Sequence, residues 1–312
     1  MSEASPAKVH FKRLALIGIG LIGSSVARAA RRHQLADEIV CADINAGHRA
    51  KAVEIGLVSQ AFADPCDAVK GADLVIFCSP VGSYKDLAEA ISGVLEPGAI
   101  LTDVGSVKGA VEAAVRPFVP EGVHFIPGHP VAGTEQSGPE AGFADLFENR
   151  WCILTPAKDV DSGALQKLSD FWKALGANVE VMDATHHDLV LAITSHVPHL
   201  IAYNIVGTAA DLEEVTQSEV IKYSAGGFRD FTRIAASDPT MWRDVFLNNK
   251  EAVLETLGRF VEDLTALQRA IRWGDADTLM ELFTRTRAIR RSIVEAGQES
   301  PAPDFGRKHG DK

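Results

Sequence analysis

The sequence predicts an α/β protein, a doubly wound parallel sheet followed by an all-α C-terminal region, and three observations predict it. Between residues 11 and 183, short apolar runs alternate with helical patterns, as crossover units of a parallel sheet require. A glycine-rich turn joins the first apolar run to the first helical pattern. After Asp183 the strand patterns stop, and long helical periodicities take over.

The first run, residues 14–17, has the composition of a buried parallel strand and leads directly into Gly18-x-Gly20-x-x-Gly23. The glycines allow a tight turn, close approach of backbone to a pyrophosphate, and close helix–strand packing. The helix that follows aims free N–H groups and its positive dipole end at that phosphate. A second strand, residues 38–43, ends in Asp43, 20 residues after Gly23. A carboxylate at that offset reaches the adenosine ribose hydroxyls and favours NAD over NADP. The sheet is thus expected to be of the Rossmann type, with NAD as cofactor. Gly18, Gly20, Leu21, Ile22, Gly23 and Asp43 are its first candidate contacts. His48 and Arg49 follow the acid and leave room for some use of NADP.

Composition bounds the remaining options. A chain of 312 residues can hold two domains with substantial cores. Its formal charge of −11, with no block of Lys or Arg, argues against a nucleic-acid partner. Cys41, Cys66, Cys78 and Cys152 are scattered without a C-x-x-C pair, which reads as reduced thiols in a cytoplasmic protein. Residues 1–9 lack the apolar core of a secretion signal. Residues 189–210 are apolar enough to resemble a membrane span, but contain His196, Pro198, His199 and Asn204. A buried helix, and no membrane partner, is the expectation.

Further strands are expected near residues 72–79, 99–103 and 123–126, with Ser83 capping a helix from Tyr84 in a capping box with Asp86. Ligands of such sheets sit beyond the carboxyl ends of the strands. Three segments occupy that rim. Ser79 and Pro80 are expected to line the cofactor path, with Asp103 a further contact. Ser106, at a helix start, is either an N-cap or a ligand contact. His129, bracketed by prolines and glycines in residues 127–134, is expected in rigid irregular backbone, which favours a functional role over a structural one.

Strands at 151–155 and 178–182 flank a helix at 162–175. In the helical region, Thr185-His-His-Asp188 resembles a capping box. His196 and His199 lie one turn apart on one helix face, where Pro198 is expected to introduce a kink. No acid is placed to complete a metal site with them. The segment 226–235 carries paired glycines, Asp230 and Arg233; Phe228, Phe231 and Ile234 are expected to draw it inward as a carboxylate-binding pocket. Asp238-Pro239 starts a helix expected to run unbroken to Trp273, with an apolar stripe covered by a second subunit. A last helix ends at Gly297. The expected domains are a flexible N-terminus (1–10), an NAD-binding domain (11–183), a helical substrate and dimerisation domain (184–297) and a disordered tail (298–312).

On these motifs the chain resembles the prephenate/arogenate dehydrogenases of tyrosine biosynthesis, over roughly residues 11–296. The resemblance rests on the glycine fingerprint, residues 103–108, Gly128-His-Pro-Val-Ala-Gly-Thr-Glu135, Thr194-Ser-His-Val-Pro-His199, and residues 227–235 followed by 238–242. It implies oxidative decarboxylation of a cyclohexadienol, with hydride passing from the hydroxyl-bearing ring carbon to NAD. His129 would accept the 4-hydroxyl proton and Ser106 would orient that hydroxyl. Arg233 would bind substrate carboxylate, with His196 or His199, Thr134, Gly226 and Asp230 in the pocket. Trp242 would reach the site from the partner subunit of a homodimer. Two other classes compete. A 3-hydroxyacid-type NAD dehydrogenase would use an early helical-domain lysine, whereas the first lysine after Asp183 is Lys222. A non-catalytic NAD-binding sensor would have no reason to hold His129, Ser106 and Arg233 together.

Overall fold

The side chains of residues 14–17 are buried because their strand, β1 (Phe11–Ile17), is the interior of a sheet and packs on both faces. The computed structural model describes residues 9–216 and 226–295. The expected N-terminal segment up to residue 8 and the tail 298–312 lie outside these described residues, as does Gly297. Strands β2 (Ala36–Ala42), β3 (Gln60–Phe62), β4 (Leu74–Phe77), β5 (Ile100–Asp103) and β6 (His124–Phe125) complete a parallel sheet in the order β3-β2-β1-β4-β5-β6. Leu14 stands opposite Ile39 on one side and Leu74 on the other. The order reverses between β1 and β4, which opens a ligand crevice at the carboxyl ends of those strands.

Two details depart from expectation here. The strand β3 and a short helix at Pro65–Val69, capped by Asp64, carry too few residues to show a period. Ser83 does not cap the helix Tyr84–Ile91. Residues Val81–Ser83 form a 3₁₀ turn, and the Ser83 hydroxyl instead reaches the Pro80 carbonyl and the Ser79 hydroxyl, both at 2.8 Å.

A second, three-stranded sheet follows: β7 (Gly128–Pro130), β8 (Trp151–Leu154) and β9 (Asn178–Val181), with β7 antiparallel to β8 and β9 parallel to it. His129 therefore sits on a strand, opposite Ile153, and not in irregular backbone as expected. The prolines misled: β7 is an edge strand, where a residue without an N–H is tolerated.

Beyond β9 the chain is helical. Asp183, not Thr185, caps the helix Ala184–Leu191 by accepting the His186 N–H at 2.9 Å. Residues Ala192–His196 then form a π-helical turn before the helix Val197–Thr216. The departure from α geometry precedes Pro198, because proline offers no N–H to the carbonyl four residues earlier and the wider turn absorbs the mismatch. The expected buried helix at 189–210 is only partly buried: Leu189, Ile193, Ile205 and Val206 are exposed. By length and composition alone, the run Ala184–Leu212 could cross a membrane. The segment around Arg233 forms a helix at Gly226–Thr232 and a 3₁₀ turn at Arg233–Ala236. Phe231 is exposed, so this segment is not drawn inward as expected.

Asp238 caps the next helix, Pro239–Asn248, with Pro239 in its first turn. The expected unbroken helix is interrupted at Asn249 (φ −119°, ψ 38°), whose side chain bonds to the Asp188 carbonyl instead of facing solvent. The helices Lys250–Trp273 and Ala276–Glu295 follow, separated by Gly274 at φ +67°. By compactness the chain divides into Met1–Leu254 and Glu255–Lys312. The first unit has one core on each face of the large sheet, built around Phe147, Phe171 and Trp172 on one side and Phe77, Tyr84 and Trp242 on the other. The second carries an apolar groove of about 460 Å³ lined by Val261, Leu264, Leu267, Ile271, Leu279 and Phe283.

Candidate active site

The glycine turn has the shape its sequence promised. Gly18 has φ +103°, and a side chain there would strike the Cys78–Ser79 backbone at 2.7 Å. A Cβ on Gly23 would lie 2.3 Å from the Gly18 carbonyl, so the helix Leu21–His33 can approach the turn only as glycine. A Cβ on Gly20, by contrast, would meet nothing within 4 Å. No side chain caps this helix start, so its first N–H groups stay available to an anion. Asp43, at the end of β2, accepts the Ile19 N–H at 3.0 Å and the Asn45 N–H at 2.8 Å. His48 lies 3.7 Å from the same carboxylate. This half-buried cradle fits a dinucleotide with its ribose on Asp43. Ser79 and Pro80 stand at the adjoining end of β4.

Asp103 departs from its expected role as a cofactor contact. It is fully buried at the end of β5, and its carboxylate is held by protein donors: Lys108 Nζ at 2.5 Å, Gly105 N–H at 2.8 Å and Gly128 N–H at 3.0 Å. Lys108 is buried too, and also donates to the Gly128 carbonyl at 2.6 Å. Burial pushes the Asp103 carboxyl up and the Lys108 ammonium down, while their mutual attraction opposes both shifts. Together they tie the end of β5 to the start of β7.

That tie places His129 at the rim of the large sheet. Its Nδ1 lies 2.9 Å from His187 Nε2, and His187 Nδ1 lies 2.8 Å from Asp188 Oδ1. Burial, then the neighbouring His187, Lys108 and His196, hold the His129 imidazole well below the ordinary histidine range. His187 is lowered as well, by burial against the pull of Asp188. His196 is fully buried and pushed down to about 4, chiefly by burial. The backbone of Ser106 lies beside this imidazole. Trp242 Nε1 is buried with no hydrogen-bond partner among the described residues, which suits a polar ligand, while His196 Nε2 is buried beside the Ser106 backbone.

A second group adjoins the first. His199 stacks on Trp242 with ring centroids 3.7 Å apart and an interplanar angle of 24°, and its Nδ1 donates to the Ser195 carbonyl at 2.8 Å. Arg233 pairs with Glu135 at 3.3 Å, next to Thr134, and its charge contributes to lowering His199 after burial. Trp242 is buried in its own chain, packed between His199, His196 and Phe246. These contacts are all within its own chain, whereas the resemblance implies a tryptophan supplied by the partner subunit. Asp230 pairs with its neighbour Arg229, and Gly226 opens the same short helix.

The structure thus brings together His129, Ser106, His196, His199, Trp242 and Arg233 from distant parts of the chain. The sequence reading missed His187, Asp188, Lys108 and Asn249. His187 and Asp188 were visible only as a capping pattern; a His-His-Asp string just after a helix cap was the available signal. Among the described residues, no group of three His, Cys, Asp or Glu side chains is arranged to hold a metal.

Comparison with known proteins identifies the family. Residues 26–181 match the family model described as prephenate dehydrogenase, nucleotide-binding domain, and residues 183–285 match prephenate dehydrogenase, dimerization domain. The chain is 40% identical to the cyclohexadienyl dehydrogenase of Zymomonas mobilis over 283 residues, covering 91% of this chain and 96% of that one. It is similar to the crystal structure of prephenate dehydrogenase from Aquifex aeolicus in complex with hydroxyphenyl propionate and NAD+. There the TM-score is 0.85 at 34% identity, covering 92% of this chain and 100% of that one. Synechocystis arogenate dehydrogenase gives a TM-score of 0.74 at 27% identity, covering 90% and 99%.

Proposed function

The chain belongs to the prephenate dehydrogenase family and is an NAD-dependent prephenate/arogenate dehydrogenase, and from that premise we propose that His129 is its catalytic base. The observation that carries this reading is the buried, neutral imidazole of His129, backed by His187 and Asp188 at the rim of the cofactor crevice. A general base must be unprotonated at the working pH and in reach of the proton it takes. Burial and the charge of Lys108 keep His129 in that state.

NAD, when bound, supplies the hydride acceptor, and Gly18, Gly20, Gly23, Leu21, Ile22 and Asp43 would hold it, with Ser79 and Pro80 alongside. His129 takes the proton of the ring hydroxyl, which raises the electron density on the carbon that loses hydride. Ser106 orients that hydroxyl. Arg233 binds a substrate carboxylate, His199 and Trp242 form an aromatic wall beside it, and Thr134, Gly226 and Asp230 border the entrance. Loss of CO2 yields the aromatic phenol.

The match to a dimerization-domain model points to self-association. A homodimer through the C-terminal helices is supported by the apolar groove along Val261 to Phe283 and by the exposed Leu189, Ile193 and Ile205 of the first unit. A soluble place in the cytoplasm follows from the same reading, with tyrosine biosynthesis as its role and neither membrane nor nucleic acid as partner.

The test is NADH formation on mixing the protein with NAD and prephenate, then with NAD and arogenate. Turnover is expected with at least one, and the ratio of the two kcat/KM values assigns the substrate. NAD binding without turnover on either would overturn the reading in favour of a sensor.

A further inference from the structure

The hydrogen bonds behind His129 have a direction, and it follows atom by atom. Asp188 Oδ1 accepts the Lys108 N–H at 2.7 Å, and Oδ2 accepts the Gly109 N–H at 2.9 Å. Burial opposes its ionisation, but the His187 bond and these two N–H groups hold the carboxyl below its ordinary range. An ionised carboxylate can only accept. His187 must therefore give it the Nδ1 proton. Neutral His187 then has its lone pair at Nε2, which takes the Nδ1–H of His129. What remains on His129 is a bare Nε2.

A second chain starts from the same residue. The backbone carbonyl of Asp188 lies 2.8 Å from Asn249 Nδ2. A carbonyl also only accepts, so the amide group of Asn249 must face it with nitrogen and not oxygen. The other hydrogen of that nitrogen points to His196 Nδ1 at 3.1 Å. Neutral His196 therefore carries its proton at Nε2, the buried atom beside the Ser106 backbone.

We propose that Asp188 is a positioning residue that sets two neighbouring imidazoles in opposite tautomers, His129 as an Nε2 acceptor and His196 as an Nε2–H donor. The carboxylate acts on one and the carbonyl, through Asn249, on the other. A hydroxyl, which both donates and accepts, is the ligand group that can use such a pair. The site then needs no proton rearrangement before it receives the substrate, and the imidazolium formed on His129 is stabilised through His187. This role for Asp188 in turnover rests on the reading of His129 as the base; the tautomers themselves do not.

The experiment is ¹⁵N NMR of the full-length protein labelled at histidine, at neutral pH, with signals assigned by His129→Asn and His196→Asn. His129 is expected to be protonated at Nδ1 and bare at Nε2, and His196 the reverse. The opposite tautomers, or a charged imidazole at either position, would overturn the proposal. Asp188→Asn should mix the tautomers of His129 and lower kcat on the order of 10- to 100-fold with little change in KM, as loss of a group that orients a functional histidine does. Asp188→Glu should recover part of the loss. Unchanged signals in a folded Asp188→Asn protein would count against the proposal; should that variant not fold, the spectrum of the unsubstituted protein still decides. If the tautomers are as stated but His129→Asn keeps its turnover, the base assignment fails and the tautomer assignment stands.

Discussion

Lys108 and Asp103 form an ion pair with no exposure to solvent, Nζ to Oδ2 at 2.5 Å, beneath the strand that carries His129. Removing one partner strands the other charge in the interior. Lys108→Met is expected to destabilise the fold by about 3–5 kcal/mol. The double variant with Asp103→Asn should lose less than the sum of the two single changes. Urea unfolding of the four proteins in the cycle measures this.

His129→Asn is expected to lower turnover by roughly 10²–10⁴-fold, the span usual for an acid–base group. NAD affinity should stay the same, because the cofactor cradle lies on β1 and β2 and not on β7. Steady-state kinetics paired with NAD titration by fluorescence separates the two effects.

Arg233→Ala should act mainly through KM. A carboxylate contact made equally before and during the reaction is lost from both states, so kcat changes little. A fall in kcat with unchanged KM would remove Arg233 from the binding role.

Stability should fall as the medium is acidified. Burial lowers His129, His187, His196 and His199, and His196 is pushed down to about 4. Between that value and the ordinary histidine pKa of about 6.5, the unfolded chain binds more protons than the folded one. The stability these imidazoles permit is thus fully present above about pH 6.5 and is lost as pH falls toward 4. Asp103, whose pKa is raised by burial, works in the other direction from the ordinary carboxyl value of 3.8 upward. Urea midpoints measured from pH 8 to pH 5 should decline, and His196→Asn should flatten the curve.

The strand–glycine–helix start, Asp43 and the change to helices at Asp183 were legible because each depends on local pattern: period, turn chemistry and spacing. The roles of Asp103, Trp242 and His187 were not. Asp103 stands at the end of a strand, as a cofactor ligand would, and only the fold reveals that Lys108 and two backbone N–H groups occupy it. Trp242 and His199 are 43 positions apart in sequence, yet stack within one chain. Asn249 falls inside the stretch expected to form one unbroken helix to Trp273. Its hydrogen bonds to the Asp188 carbonyl and toward His196 end the helix there, and no periodicity encodes a long-range polar partner.

The π turn at Ala192–His196 makes this stretch sensitive to length in a way that it is not to composition. Each residue of a helix advances about 100° around its axis, from 3.6 residues per turn. Deleting one residue from the turn would restore a regular helix and rotate everything after it by that angle. His199 would leave the face of Trp242, and the Nδ1 acceptor of His196 would turn away from Asn249. Point substitutions at the exposed Thr194 keep the register and should be tolerated. Diversity in this segment is therefore open to exchange of side chains but closed to single insertions and deletions, so chain length here is itself a constraint on what the site can become.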